Sequence, residues 1–222
     1  MSHKTSSVVS ILFLALEAVL YYFILTAGGD LLVYSSFFAI VLCFLHILLH
    51  VKTCNKWIFG GLACTVMADV CLVLCSPIQQ LWGMVFFLIA QSLYAANLHL
   101  ASKNKLLLYI RIALILIALS VTGIVLKENT DALALVSLCY YANLIMNIVV
   151  AFARFKTNKI LSIALVLFLL CDTVIGLQVA CGAYLPIGEE SLIYKIIFMP
   201  FNLSWLFYLP SQVLISLSGK RK

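Results

Sequence analysis

The sequence predicts an all-α membrane protein, a bundle of eight transmembrane helices with both termini cytoplasmic. Three observations point there. Of 222 residues, 65% are hydrophobic and only 10% charged, and the mean hydropathy is +1.17, more apolar surface than a soluble domain of this length can hide. The apolar stretches match the roughly 20 residues that a helix needs to cross a bilayer, and runs such as Ile112 to Leu119 lack the alternation of a membrane β-strand. The basic residues, finally, fall on every second connection.

The spans read 8–27, 31–50, 57–76, 81–98, 106–126, 132–153, 160–180 and 191–217. The first follows His3 and Lys4 like a secretion signal, but it is long, holds Glu17 and has no small-residue cleavage site, so it is expected to stay as a helix. The second carries His46, which stands alone in the pattern. On the third, Thr65, Asp69 and Ser76 share one stripe, while Cys64, Cys71 and Cys75 share another that points away from Asp69. The fourth offers Gln91 and Tyr94. The fifth begins near Arg111, whose expected course is to snorkel to the interface, as is that of Lys195. The sixth holds Tyr140, Asn143 and Asn147, and the seventh places Asp172 on one face with Gly176 and Val179. The eighth brings Asn202, Trp205, Tyr208 and Gln212, and Pro200 and Pro210 predict a bend in it.

No linker or low-complexity segment interrupts the chain, so residues 1–222 read as a single polytopic domain. Lys4, Lys52, Lys56, Lys103, Lys105, Arg154, Lys156, Lys159 and the tail Lys220-Arg221-Lys222 fall on the N-terminus, the even loops and the C-terminus. The odd connections hold Lys127 among the acids Asp30, Glu128, Asp131, Glu189 and Glu190. That asymmetry places the basic side in the cytoplasm and explains the net charge of +6 without nucleic acid. The eight cysteines and four histidines show no metal-binding spacing, so neither metal nor cofactor is expected.

Chemistry must therefore lie within the bundle. Asp69 and Asp172 stand inside apolar spans, each about a dozen residues from the cytoplasmic end of its helix, an equal depth that a duplicated four-helix unit would produce. A carboxylate at that depth costs several kcal/mol unless it faces a bundle interior, water or a partner, and no Lys or Arg lies level with either. Two such groups brought together in low dielectric favour sharing one proton, leaving one acid and one base. Glu17 is a third buried acid and a candidate supporting residue, which could instead pair with a basic residue or face water near the rim. Thr65, Gln91, Tyr94, Tyr140, Asn143, Asn147, Asn202, Trp205, Tyr208 and Gln212 are the side chains that could line a polar pocket around the acids, although each could instead bond helix to helix.

The segments Gly61 to Leu74, Gly83 to Tyr94, Leu170-Cys-Asp172 and Tyr208 to Leu217 resemble, in order and spacing, the YhhN-like lysoplasmalogenase family of eight-helix membrane hydrolases. The resemblance implies cleavage of the vinyl-ether bond of lysoplasmalogen, a single-chain phospholipid, to a fatty aldehyde and a glycerophospho-alcohol. It implies that Asp69 and Asp172 are the two catalytic aspartates of a multi-pass protein of the cell membrane. Ala68 stands where the family commonly has glycine. Gln91 stands where it commonly has histidine, and an amide can bond but cannot shuttle protons near neutral pH. Buried acids and a bent helix also fit a proton-coupled small-molecule transporter. An intramembrane aspartyl protease fits less well, because Val66-Met-Ala-Asp69 and Leu169-Leu-Cys-Asp172 lack its Gly-x-Gly-Asp signature. A scaffold remains if the acids only join helices.

Overall fold

The computed structural model describes residues 3–102, 104–125, 131–183, 188, 190–199 and 201–220. The chain forms α1 (His3–Thr26), α2 (Gly29–Leu49), α3 (Lys56–Asp69), α4 (Gln80–Ser102), α5 (Lys105–Val125), α6 (Ala132–Phe152), α7 (Phe155–Ala183), α8 (Leu192–Ile197) and α9 (Leu203–Ser218). Among the described residues there is no strand, only an isolated bridge between Cys54 and Lys220. Among the described residues six helices are long and apolar enough to cross a membrane: α1, α2, α3 with the turn that follows it, α4, α6 and α7.

Local chemistry sets the element ends. Gly28 and Gly29 form the tight link between α1 and α2, with Gly29 at φ 59°, a region that a residue without a Cβ enters freely. Asn55 caps α3 by accepting from the Trp57 amide at 2.9 Å, and Asp131 caps α6 by accepting from Ala134 at 2.7 Å, each satisfying an orphan donor of a first turn. The regular part of α7 begins after Asn158, the one non-helical residue within its range.

Two elements depart from the sequence reading. Directly after Asp69, α3 widens into a π-helical turn, Val70–Leu74. The wider turn changes the angular register, so Ser76 leaves the Asp69 stripe and is exposed. The bent span at 191–217 is two helices, α8 and α9, because the Asn202 side chain accepts from the Trp205 amide at 3.4 Å and starts a new helix. Pro200 lies outside the described residues. Pro210 sits inside α9 without ending it. Proline has no N–H to offer the carbonyl four residues back, and here the Tyr21 hydroxyl of α1 donates to that carbonyl, Leu206 O, at 2.9 Å.

The inner helix is α9, which packs on α7, α2, α3 and α1, while α4 lies between α3 and α6, and α5 leans on α6. The buried face of α9 carries Tyr208, Leu209, Ser211, Gln212, Ile215 and Ser216. On α5, Leu106, Tyr109, Ile112, Leu116, Ile117 and Ile124 point outward, as do Ile11, Leu12 and Val19 on α1. A stripe of apolar side chains facing outward on peripheral helices is what lipid contact requires. At one end of the bundle the Asn55 amide donates to Gly219 O at 2.8 Å and Asn55 Nδ2 to Asn97 Oδ1 at 2.6 Å, joining the α2–α3 loop to the ends of α9 and α4. Lys56 and Lys220 lie there, at the basic end.

Close helix contact does not occur at Gly176, as its place beside Asp172 suggested; a Cβ there would meet nothing within 4 Å. It occurs at Gly61, where a Cβ would sit 2.1 Å from the Tyr94 ring, and at Gly83, 2.5 Å from Leu72. The first seals α3 against α4, and the second seals the π-helical turn after α3 against the same helix.

Candidate active site

Each aspartate is held by a tyrosine from a different helix. Tyr208 of α9 donates its hydroxyl to Asp69 Oδ2 at 2.8 Å. Tyr140 of α6 donates to Asp172 Oδ2. Asp69 is buried, whereas Asp172 is half-buried. The two pairs share an aromatic wall. Phe87 lies 5.9 Å from the Tyr140 ring and 6.3 Å from that of Tyr208, and Phe168, one turn before Asp172, lies 6.5 Å and 5.6 Å from the same two rings. Cys171 is buried within electrostatic range of both carboxyl groups. The sequence-predicted acids thus converge on one neighbourhood, each with an oxygen, Oδ1, left over after its tyrosine bond.

Around Asp69 the predicted polar residues gather only in part. Thr65, one turn earlier, turns its hydroxyl back to Gly61 O at 3.1 Å, and the buried Tyr94 hydroxyl points toward it without a hydrogen bond. Gln212, one turn after Tyr208, is fully buried with neither amide atom bonded, and the buried Ser211 hydroxyl beside it has no partner. Glu17 meets neither a basic residue nor the rim. It is 3% exposed, accepts from Cys43 Sγ at 3.3 Å, and its Oε2 is unpartnered. Buried polar atoms without a protein partner are characteristic sites for bound water.

His46 does not stand alone. Its Nδ1 meets Ser216 Oγ at 2.8 Å, and its Nε2 meets Ser10 Oγ at 3.1 Å. Ser216 spends its only hydroxyl hydrogen on Cys43 O at 2.9 Å, so His46 Nδ1 carries the hydrogen between them. Lys220 Nζ donates to Ser10 Oγ at 3.0 Å. With the buried face of α9, these residues form a polar column from the basic end through Ser216 and Gln212 to Tyr208 and Asp69.

Gln91, Asn143 and Asn147 face a different partner. Arg111 does not snorkel: it is 5% exposed and turns inward. It donates to Asn143 Oδ1, to Asn147 Oδ1 at 2.8 Å, and through Nε to His99 Nε2 at 3.0 Å. Asn147 Nδ2 in turn donates to Gln91 Oε1 at 2.8 Å. None of these three side chains hydrogen-bonds an aspartate. Asn202 caps α9, its side chain accepting from the Trp205 amide at the start of that helix. A shallow groove between α5 and α6, lined by Leu114, Ile117, Leu138 and Tyr141 among others, contains none of the predicted site residues.

Phe87, Phe168 and Arg111 are the neighbours that sequence reasoning left out of the site, and it did not pair Tyr140 with Asp172. Tyr140 carried a signal, a phenol inside an apolar span, as did Arg111; the two phenylalanines carried none. Among the described residues no three His, Cys, Asp or Glu gather as a metal site. A scan against protein-family models matches the YhhN family over residues 33–219, which include both aspartates and both of their tyrosines. No curated protein and no solved structure matches the chain. From its match across most of its length, the chain belongs to the YhhN family, the family of lysoplasmalogenases.

Proposed function

We propose that the protein is an eight-helix membrane hydrolase that cleaves the vinyl-ether bond of lysoplasmalogen, with Asp69 and Asp172 as its acid and base. The observation that carries this reading is the pair of carboxyl groups, one on α3 and one on α7, each fixed by a tyrosine and joined by a common aromatic wall. Family membership supplies the reaction class.

One aspartic acid gives its proton to the alkene carbon farther from the ether oxygen, and that oxygen shares the resulting positive charge on its neighbouring carbon as an oxocarbenium ion. The faces of Phe87 and Phe168 and the second, ionised carboxylate favour that cation. Water adds to the carbon that bears the ether oxygen and yields a proton to the second carboxylate. The hemiacetal then collapses: its hydroxyl gives a proton to the first carboxylate, its C–O bond to glycerol breaks, the departing oxygen takes the proton held by the second carboxyl group, and a fatty aldehyde remains. One water is consumed and no electrons change hands. Glycoside hydrolysis distributes the work between two carboxyl groups in the same manner. The reaction calls for no metal or organic cofactor. The tyrosines hold each Oδ2, so Oδ1 is the oxygen left to face substrate. The partners are then the single-chain lipid and the surrounding membrane, with the chain a multi-pass protein of the cell membrane.

The test is aldehyde release from lysoplasmenylethanolamine by the detergent-purified protein, beside Asp69→Asn and Asp172→Asn. Aldehyde from the wild type and from neither variant is the expected result. A folded, monodisperse wild type that releases none overturns the proposal, and proton-driven uptake lost in Asp69→Asn would replace it with transport.

A further inference from the structure

Arg111 is a buried cation on the apolar helix α5 that nothing in the hydrolytic scheme uses. Charged side chains in such a place are rare and mark ligand or ion pathways unless a counter-charge meets them. Among the described residues the only ion pair is that of Lys195 with Glu190, so no carboxylate lies within ion-pair distance of Arg111. All its recorded partners are neutral acceptors: the Asn143 side chain and carbonyl, Asn147 Oδ1 and His99 Nε2.

These bonds set the orientation of everything beyond them. Because Arg111 only donates, Asn143 and Asn147 must present their amide oxygens to it and turn their nitrogens toward α4. Asn143 Nδ2 then donates to Ser92 Oγ at 3.1 Å, and Asn147 Nδ2 to Gln91 Oε1 at 2.8 Å. With its oxygen taken, Gln91 is left with its Nε2, buried in a residue of 0% exposure and bonded to nothing. The network thus ends in a donor without an acceptor and contains a full positive charge without a negative one. An oxyanion supplies both.

Its place fits the proposed substrate. Asn143 and Asn147 follow Tyr140 on α6 by one and two turns, about 5 and 10 Å along the axis at 1.5 Å per residue. In a lysophospholipid, the glycerol backbone separates the ether oxygen from phosphorus by five bonds, a reach that falls between one and two helical turns when extended. We propose that Arg111 and Gln91, oriented by Asn143 and Asn147, bind the phosphate of the lipid head group while its vinyl ether lies at Tyr140 and Asp172. The proposal rests on the lysoplasmalogenase reading for its ligand.

Binding, not turnover, tests it. The purified protein would be titrated with ester-linked lysophosphatidylethanolamine, which has no vinyl ether to cleave, and with a monoacylglycerol of the same chain length. The same titrations would be made on Arg111→Gln and Gln91→Glu. Gln91→Glu keeps the oxygen that Asn147 needs but replaces the unpartnered donor with a carboxylate oxygen that repels an anion, so it reads out even if Arg111→Gln fails to fold. The wild type should bind the phospholipid at least about tenfold tighter than the monoacylglycerol, the scale of a charged hydrogen bond, and both variants should lose that preference while binding monoacylglycerol as before. Equal wild-type affinity for both lipids, or a preference that survives both variants, would overturn the assignment and leave Arg111 as a clamp between helices. Displacement of the phospholipid by inorganic phosphate in the wild type but not in Gln91→Glu would assign the site to free phosphate and overturn its head-group role. Preference without aldehyde release would keep the phosphate site and refute the hydrolase; aldehyde release without preference would do the reverse.

Discussion

At the scale of the residue, the Tyr208–Asp69 and Tyr140–Asp172 bonds are the parts on which the proposed chemistry turns. Tyr208→Phe and Tyr140→Phe remove one donor each from a carboxyl group and leave the ring in the aromatic wall. The loss of such a bond costs about 1–3 kcal/mol, so each variant should lower aldehyde release roughly ten- to a hundredfold while the protein remains folded; undiminished turnover would show that the tyrosines only brace helices. Tyr21→Phe acts elsewhere. It strands the Leu206 carbonyl that Pro210 has already freed, so a drop in thermal stability equivalent to about 1–3 kcal/mol is expected in a detergent melt, with the active-site bonds intact. The acids themselves were legible in the sequence because an ionisable group at membrane depth is costly and therefore informative. Their tyrosines were legible as interior polar residues but not as partners of the acids, since Tyr140 reaches Asp172 only through the rotation of α6 against α7. Gln91, Asn143 and Asn147 lie in the interior, yet the two asparagines bond to Arg111 and Gln91 bonds to Asn147. Hydropathy cannot distinguish an arginine that climbs to the interface from one that turns inward.

At the scale of the element, two glycines separate packing from composition. Gly61→Ala puts a methyl group into the Tyr94 ring, one face of which lies 2.1 Å from the ideal Cβ. Forcing α3 from α4 in this way should destabilise the protein by about 1–3 kcal/mol and shift Asp69, two turns further on. Gly176→Ala adds its methyl to open space and should be neutral or gain up to about 1 kcal/mol from helix propensity. Thermal melts of the two variants side by side check both; equal effects would contradict the packing described. Helix positions were readable from hydropathy, with most ends displaced by a few residues. What hydropathy missed was the interior geometry of elements: the π-helical turn after Asp69 and the division of span 191–217 at the Asn202 cap. Both depend on local hydrogen bonds that an average over a window erases. The turn bears on function, because π-helical turns accompany functional sites disproportionately and this one begins at the residue after a proposed catalytic acid.

At the scale of the whole molecule, the charge asymmetry predicts a topology that a reporter can test. A reporter fused after Lys220 should read as cytoplasmic, and one inserted at Asp131, in the opposite set of connections, as external; the reverse pattern would invert the proposed orientation. The ends of α2, α4 and α9 already meet at the Asn55 junction, which places Lys56 and Lys220 on one side. The central position of α9 has a further consequence, for biogenesis. Tyr208 is made 139 residues after the aspartate it serves, an interval of roughly ten seconds or more at ordinary rates of translation. For that time α1, α2 and α3 are in existence without the helix that they pack around, and Asp69 must wait in the membrane or its translocation machinery with no phenol to hold it. Assembly therefore closes from the C-terminal side: a nascent chain stopped before α9 leaves a membrane carboxyl group unsatisfied, a mark by which quality-control proteases could tell an incomplete chain from a finished one.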